Sequence, residues 1–178
     1  MKRAVRQIDD RIATLDGVIS DTVVVWRFGP VVDALRALRG VNTTIAATLV
    51  AEIGDINRFS NPRQLMAWLG LVPSEHSSGN SVRRGRITRT GNALARTMMV
   101  EASWSYRHPA KEGHPYLKRS EHLPQHIRDI GLKAQARLCN RFRDLSKTGK
   151  PQPSVLTAIA RELAGFVWDI ARKTPVSA

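Results

Sequence analysis

Cysteine is almost missing from this chain of 178 residues, where Cys139 stands alone. An internal disulfide is thereby excluded, and so is a zinc site built from several cysteines. Acid is scarce too: 15 aspartates and glutamates face 28 lysines and arginines, a net charge of +13. That imbalance points to a polyanionic partner, nucleic acid ahead of an anionic membrane surface. The acids stand singly, or side by side only at Asp9 and Asp10, so no two-metal carboxylate centre is expected within the chain. No apolar run approaches the roughly 20 residues that span a bilayer. The opening Met1-Lys2-Arg3-Ala4-Val5-Arg6 lacks the apolar stretch of a signal peptide. A cytoplasmic, nucleoid-associated protein with no membrane partner is expected.

A hydrophobic fraction of 42% supports a packed core, and the length suits one ordinary domain with an appendage. The charge is unevenly spread. Between Ile56 and Val100 there are seven arginines, no lysine and one acid, Glu75, so this quarter of the chain carries +6. Arginine used throughout, where lysine would serve for solubility, favours bidentate contacts to phosphate.

The apolar residues repeat with a helical period almost everywhere, which predicts a mainly α fold. Val5, Ile8, Ile12, Leu15 and Ile19 form a short heptad-like seam interrupted by Gly17. Val23 to Gly29 reads as a strand-like or irregular connector. Pro30 fits the first turn of a helix running to Arg39. Residues 35–54 read as helix, tight turn, helix, with Gly40 closing the first and Thr43 capping the second. This resembles a helix-hairpin-helix, whose turn offers backbone N–H groups to a DNA phosphate. Asn42 replaces the usual second turn glycine. Ser60-Asn61-Pro62 starts another helix, with Leu65, Met66 and Leu69 on one face and Gly70 at its end. A helix from about Asn92 to Tyr106 would bury Leu94, Met98 and Ala102. His108 to Pro124 reads as a loop or broken segment. Two amphipathic helices close the pattern, one on Ile127, Ile130, Ala134, Leu138 and Phe142, the other on Leu156, Ile159, Leu163, Phe166 and Ile170. Cys139, at helical spacing, reads as a small buried hydrophobe.

The chemistry concentrates in the basic loop after Gly70. Ser74, Ser77, Ser78 and Ser81 stand directly before Arg83, Arg84, Arg86 and Arg89. A serine hydroxyl needs activation to act as a nucleophile, and dense arginine suits a phosphodiester. Ser78 precedes Gly79, which frees the backbone to present the hydroxyl to a bulky phosphate. Ser77 is its rival, and Glu75 and His76 stand near enough in sequence to accept a proton. Arg83, Arg84, Arg86, Arg89 and Arg96 would grip the backbone or balance transition-state charge. Thr88 and Asn92 could add neutral phosphate contacts, although a cap of the helix after Asn92 is its other role. Gly40 and Asn42 complete the candidate phosphate-binding set. The plain alternatives are a wet basic loop and serines that only hold a turn. His122 and His126 have a ligand-like spacing, but Pro124 lies between them and no carboxylate pattern joins them with His108 and His114. No metal site is expected.

Leu38-Arg-Gly-Val-Asn-Thr-Thr-Ile-Ala46, Glu52-Ile-Gly-Asp55 with Arg58-Phe59, Gln64-Leu65, Gly70-Leu-Val-Pro73, Ser78-Gly79 and Gly85-Arg-Ile-Thr-Arg-Thr-Gly-Asn92 occur in this order. With Ala134-Gln-Ala-Arg-Leu-Cys139 and Ala160-Arg-Glu-Leu-Ala-Gly-Phe-Val-Trp168, they resemble the C-terminal domain of the DEDD-type insertion-sequence transposases over most of residues 31–172. The resemblance implies DNA transposition, with Ser78 attacking a DNA phosphodiester to form a transient phosphoserine link. It implies a separate RuvC-like domain carrying Mg²⁺-binding carboxylates, DNA as partner, a structured bridge RNA in some members, and a dimer or tetramer. Residues 1–29 would then be a helical linker remnant and 30–178 the transposase domain. With no carboxylate-rich domain of its own, the chain is expected to be a fragment that binds nucleic acid without cleaving it alone. A non-catalytic DNA- or RNA-binding module and an inactive remnant of a mobile element are the competing readings.

Overall fold

The computed structural model describes residues 2–78, 81–111, 118 and 120–177. Among the described residues, seven α-helices and one two-stranded sheet bear out the mainly α expectation. The first helix, α1, runs over Lys2–Val25. It passes through Gly17 and takes in Val23, so the expected strand-like connector shrinks to Trp26–Phe28. β-Branched residues cost a helix only a few tenths of a kcal/mol each. Here the hydroxyls of Thr14, Ser20 and Thr22 fold back onto the carbonyls four residues earlier. Val5, Ile8, Ile12 and Leu15 are each more than half exposed. α1 meets the rest of the molecule nearer its C-terminal half, where the Thr44 hydroxyl donates to Asp16 at 2.9 Å.

Helix α2 (Gly29–Leu35) starts with Pro30 in its first turn and stops at Leu35, short of the expected Arg39. Tight turns carry the chain to α3 (Thr43–Ile53). The cap of α3 is Asn42, not Thr43: the Asn42 side chain accepts from the Ile45 amide at 2.8 Å. An asparagine one position earlier does the same job, since Asn and Thr both satisfy free first-turn N–H groups. A 3₁₀ turn at Ile56–Arg58 leads to α4 (Pro62–Trp68). There Asn61 accepts from the Gln64 amide, and the Gln64 side chain accepts from the Ser60 amide in return. These bonds resemble a capping box, with the returning bond one residue before the N-cap, at the helix start that Ser60-Asn61-Pro62 predicts.

After α4 the chain forms strands β1 (Pro73–Ser78) and β2 (Ser81–Ile87), then α5 (Ala93–Ser103), a 3₁₀ turn at Trp104–Arg107, α6 (Gln125–Lys147) and α7 (Gln152–Lys173). Helix α7 is the centre of the core. α4, α5 and α6 all pack on it, and Ile159 and Leu163 are fully buried. Its expected stripe holds except at Phe166, which is half-buried while Val167 takes the interior position. The stripe of α6 is buried throughout as expected. On α5 the buried row is Ala95, Met99 and Ala102, and Leu94 is exposed. The rows through 94/98 and 95/99 lie about 100° apart on a helix. The close-packed side took the one containing the small Ala95. No helix among the described residues is long and apolar enough to cross a membrane.

Candidate nucleic-acid interface

The basic loop expected after Gly70 is a β-hairpin. β1 and β2 run antiparallel, with Glu75 opposite Arg84, His76 opposite Arg83, Ser77 opposite Val82 and Ser78 opposite Ser81. A slip in register between Pro73 and Glu75 places one extra residue in β2 near Gly85 and Arg86. The Ser74 hydroxyl bridges that irregularity by donating to the Arg86 carbonyl at 3.0 Å. The sequence hid this ribbon because its apolar residues, Pro73, Val82 and Ile87, are too few and too widely spaced to alternate. Ser77, Ser78, Arg83 and Arg84 are fixed here as register positions, and Gly79 lies outside the described residues.

The base of the hairpin is locked onto the end of α4. Gly70 leaves the helix at φ +65°. A Cβ on Gly91 would sit 1.7 Å from the Trp68 carbonyl oxygen, so the returning strand crosses at a distance only glycine permits. The carbonyls left free at the end of α4 are then taken up. The Asn92 amide donates to Trp68 at 3.1 Å, and the Arg96 guanidinium donates to Leu69 at 2.9 Å and more weakly to Gly91 at 3.4 Å. The amides of Thr88 and Arg89 bond the carbonyls of Val72 and Gly70.

The expected phosphate-binding residues fall into three groups. Arg86 and Arg89 are exposed, and Arg89 is held at φ +55°, a left-handed conformation that costs a side-chain-bearing residue roughly 1–2 kcal/mol. Asn92 and Arg96 are built into the frame. Asn92 caps α5 by accepting from the Ala95 amide at 2.8 Å, and its side-chain amide donates to Glu52. Thr88, half-buried, sits in the same crossing. Gly40 and Asn42 are elsewhere. Gly40, at φ +82°, packs against Ala102 and Ser105 at the far end of α5, roughly 15 Å along the helix from Asn92 at its rise of 1.5 Å per residue. The helical hairpin turn and the arginine hairpin are thus brought to opposite ends of one helix.

Two basic residues were missed. Lys150, in the turn between α6 and α7, and Arg161, on α7, line the same cleft as Arg86 and Arg89. More than 60 residues separate the two pairs in sequence, and no local pattern links them.

Two of the histidines bond neighbouring side chains. His122 bonds Asp33, and His108 accepts from the Arg107 guanidinium at 2.9 Å. His122 precedes the start of α6, so it shares no helical face with His126, and His114 lies outside the described residues. Among the described residues no group of three or more His, Cys, Asp and Glu side chains could hold a metal ion. Cys139 is buried as expected. The buried Arg39 donates to its sulfur at 3.5 Å and to the Pro109 carbonyl at 3.0 Å. Burial pushes the Cys139 thiol up, and the Arg39 charge beside it only partly opposes that.

Residues 32–120 match the family described as Transposase IS116/IS110/IS902. The chain is 49% identical over 159 residues to a protein of Sinorhizobium fredii named as transposase y4qE, an alignment covering 89% of this chain and 41% of that protein. It is 38% identical over 69 residues to the transposase for insertion sequence element IS1111A of Coxiella burnetii, covering 39% of this chain and 19% of that protein. A family 20 transposase of Pseudomonas aeruginosa is 33% identical over 103 residues, covering 58% and 30%. The chain therefore spans about two fifths or less of the length of these curated relatives.

Proposed function

This chain belongs to the IS116/IS110/IS902 family of transposases, and on that premise we propose that it contributes the serine nucleophile of DNA transposition, carried at the tip of the β-hairpin. Ser78 is the last residue of β1 and stands opposite Ser81 at the turn. The observation that carries the reading is this placement. Ser78, the serine of the Ser-Gly step that the family resemblance marks, ends β1, with Arg83 and Arg84 near the start of the return strand. A protruding arm can bring a hydroxyl to a bulky phosphodiester that no closed pocket would admit.

In the proposed step the Ser78 oxygen attacks phosphorus in line. Its proton passes to a general base, and one bridging deoxyribose oxygen leaves and takes up a proton. The product is a phosphoserine ester that conserves the bond for rejoining without ATP. Glu75 and His76, three and two positions before Ser78 in the sequence, are the candidates for the base. Arg83 and Arg84 would balance the extra charge on the pentacoordinate phosphoryl group. Mg²⁺-binding carboxylates would come from a RuvC-like domain outside this chain. A structured guide RNA and a dimer or tetramer follow from the same resemblance, and the exposed seam of α1 supports the latter.

The test is a covalent-adduct assay in an intact transposase carrying this domain. Ser78→Ala should bind DNA normally and give no protein–DNA band on a denaturing gel, while Ser77→Ala keeps the band. Loss of the band with Ser77→Ala alone would move the nucleophile by one residue. An adduct that survives both changes would leave a binding module in place of a catalytic one.

A further inference from the structure

We propose that the cleft between the base of the hairpin and the start of α7 is a second phosphate-gripping site, one that holds the DNA backbone about four base pairs from the phosphodiester at the hairpin tip. It rests on the transposase reading above and adds to it a contact contributed by the far end of the chain.

The cleft has a volume of about 600 Å³. Arg86 and Arg89 line it from the hairpin side, Lys150 and Arg161 from the α6–α7 side, and no acidic residue lines it. Elsewhere some basic residues stand beside carboxylates: Arg137 and Arg141 share Glu162, Arg36 pairs with Asp33, and Lys173 pairs with Asp169. Glu162, the immediate neighbour of Arg161, is taken up by Arg137 and Arg141 and does not line the cleft. Four like charges around one cavity repel each other. The fold keeps them together through two unrelated features: the left-handed backbone of Arg89 and the turn through Gly149 (φ +70°) that sets Lys150.

The lining also suits a nucleic-acid backbone better than a small anion. Leu71, Pro73 and Ala158 give it an apolar floor, and Ser154 and Thr157 on the first turns of α7 add hydroxyls. An apolar floor beneath cationic walls accommodates the sugar face of a strand while the guanidinium groups take its phosphates. The spacing follows from strand geometry. Ser81 to Arg86 is five residues of β2, but one of them is the extra residue at the irregularity, so the span is about four strand steps, roughly 14 Å at 3.4 Å per step. Along B-DNA 14 Å is about four base pairs. A duplex lying along the arm would meet the tip at one phosphate and the cleft about four base pairs away.

The test uses this chain and a DNA duplex in fluorescence-polarisation titrations over a salt series, with ethylation interference to map critical phosphates. Each phosphate contact contributes about 0.9 to the slope of log K against log salt. The double variant K150Q/R161Q should lower that slope by about 2 and weaken binding at 50 mM salt at least tenfold. It should also erase interference at a phosphate separate from those that R83Q/R84Q affects, about four base pairs from the tip. Unchanged circular-dichroism melting of both variants shows that folding is not the cause. If K150Q/R161Q binds with the parental slope while R83Q/R84Q does not, the cleft proposal is wrong and the transposase reading stands. If the parental chain shows no DNA binding at all, the cleft proposal fails, while the serine reading is decided by the adduct assay in the intact transposase. A loss confined to an RNA duplex of the same sequence would overturn the assignment to DNA.

Discussion

Gly91 and Trp68 meet at a distance that leaves no room for a methyl group, and the whole hairpin hangs from that crossing. Gly91→Ala should therefore cost more than about 3 kcal/mol, because backbone must move on both sides. A urea titration followed by tryptophan fluorescence would show it. Asn92 serves two partners, the Ala95 amide and Glu52. Asn92→Ala should lower stability by about 1 kcal/mol for the lost cap, with the salt slope of DNA binding unchanged. A smaller slope in that variant would mean the side chain also meets phosphate. Cys139 gives a pH signature. Its thiol is pushed up by burial, so the folded state keeps the proton longer than the unfolded chain does. Its contribution is complete below the pKa of the unfolded thiol and is lost as pH rises past it, because the unfolded state ionises first. Stability should accordingly fall between about pH 8 and 10 by more than in Cys139→Ala, which a pair of urea curves at those two pH values would reveal.

The elements differ in how plainly the sequence announced them. α6 and α7 were legible because their apolar residues sit on one stripe that the core then covers, and α4 because Asn61, Gln64 and Pro62 mark its start locally. α1 outran its expected end, since Thr22 and Ser20 bond their own helix and the β-branched tail costs little. The hairpin could not be read. A polar ribbon has no buried face to impose alternation, so its only signals were the glycines, and Gly70 and Gly91 report a tertiary crossing that spacing does not reveal. The strands make their principal contacts with each other, while the helices pack among themselves. Replacing residues 75–84 by Asn-Gly should thus leave the helical core intact, with a melting temperature within about 3 °C of the parent, a shift equivalent to about 1 kcal/mol in a domain of this size. The same replacement in an intact transposase should abolish adduct formation. A collapse of the melting transition would show instead that the arm is part of the core.

At the scale of the molecule, the charged segment divides by position. Four of its seven arginines fall on or beside the arm, Arg96 ties the arm's base to α4, Asn92 caps α5 as its place in the sequence allowed, and Gly40 lies at the other end of α5. Lys150 and Arg161 join the basic surface only because the start of α7 faces the hairpin base across a cleft, a relation that no linear pattern contains. What emerges is a helical body presenting a two-stranded arm, with a cationic cleft where arm and body meet. The serine at the arm's tip is the centre of the account, and peptide mass spectrometry of the trapped protein–DNA adduct tests it most directly. Trypsin should release Gln64–Arg83, a single peptide holding Ser74, Ser77, Ser78 and Ser81. Fragment ions that place the nucleotide remnant on Ser78 are the predicted result, and a remnant on any other residue would contradict it.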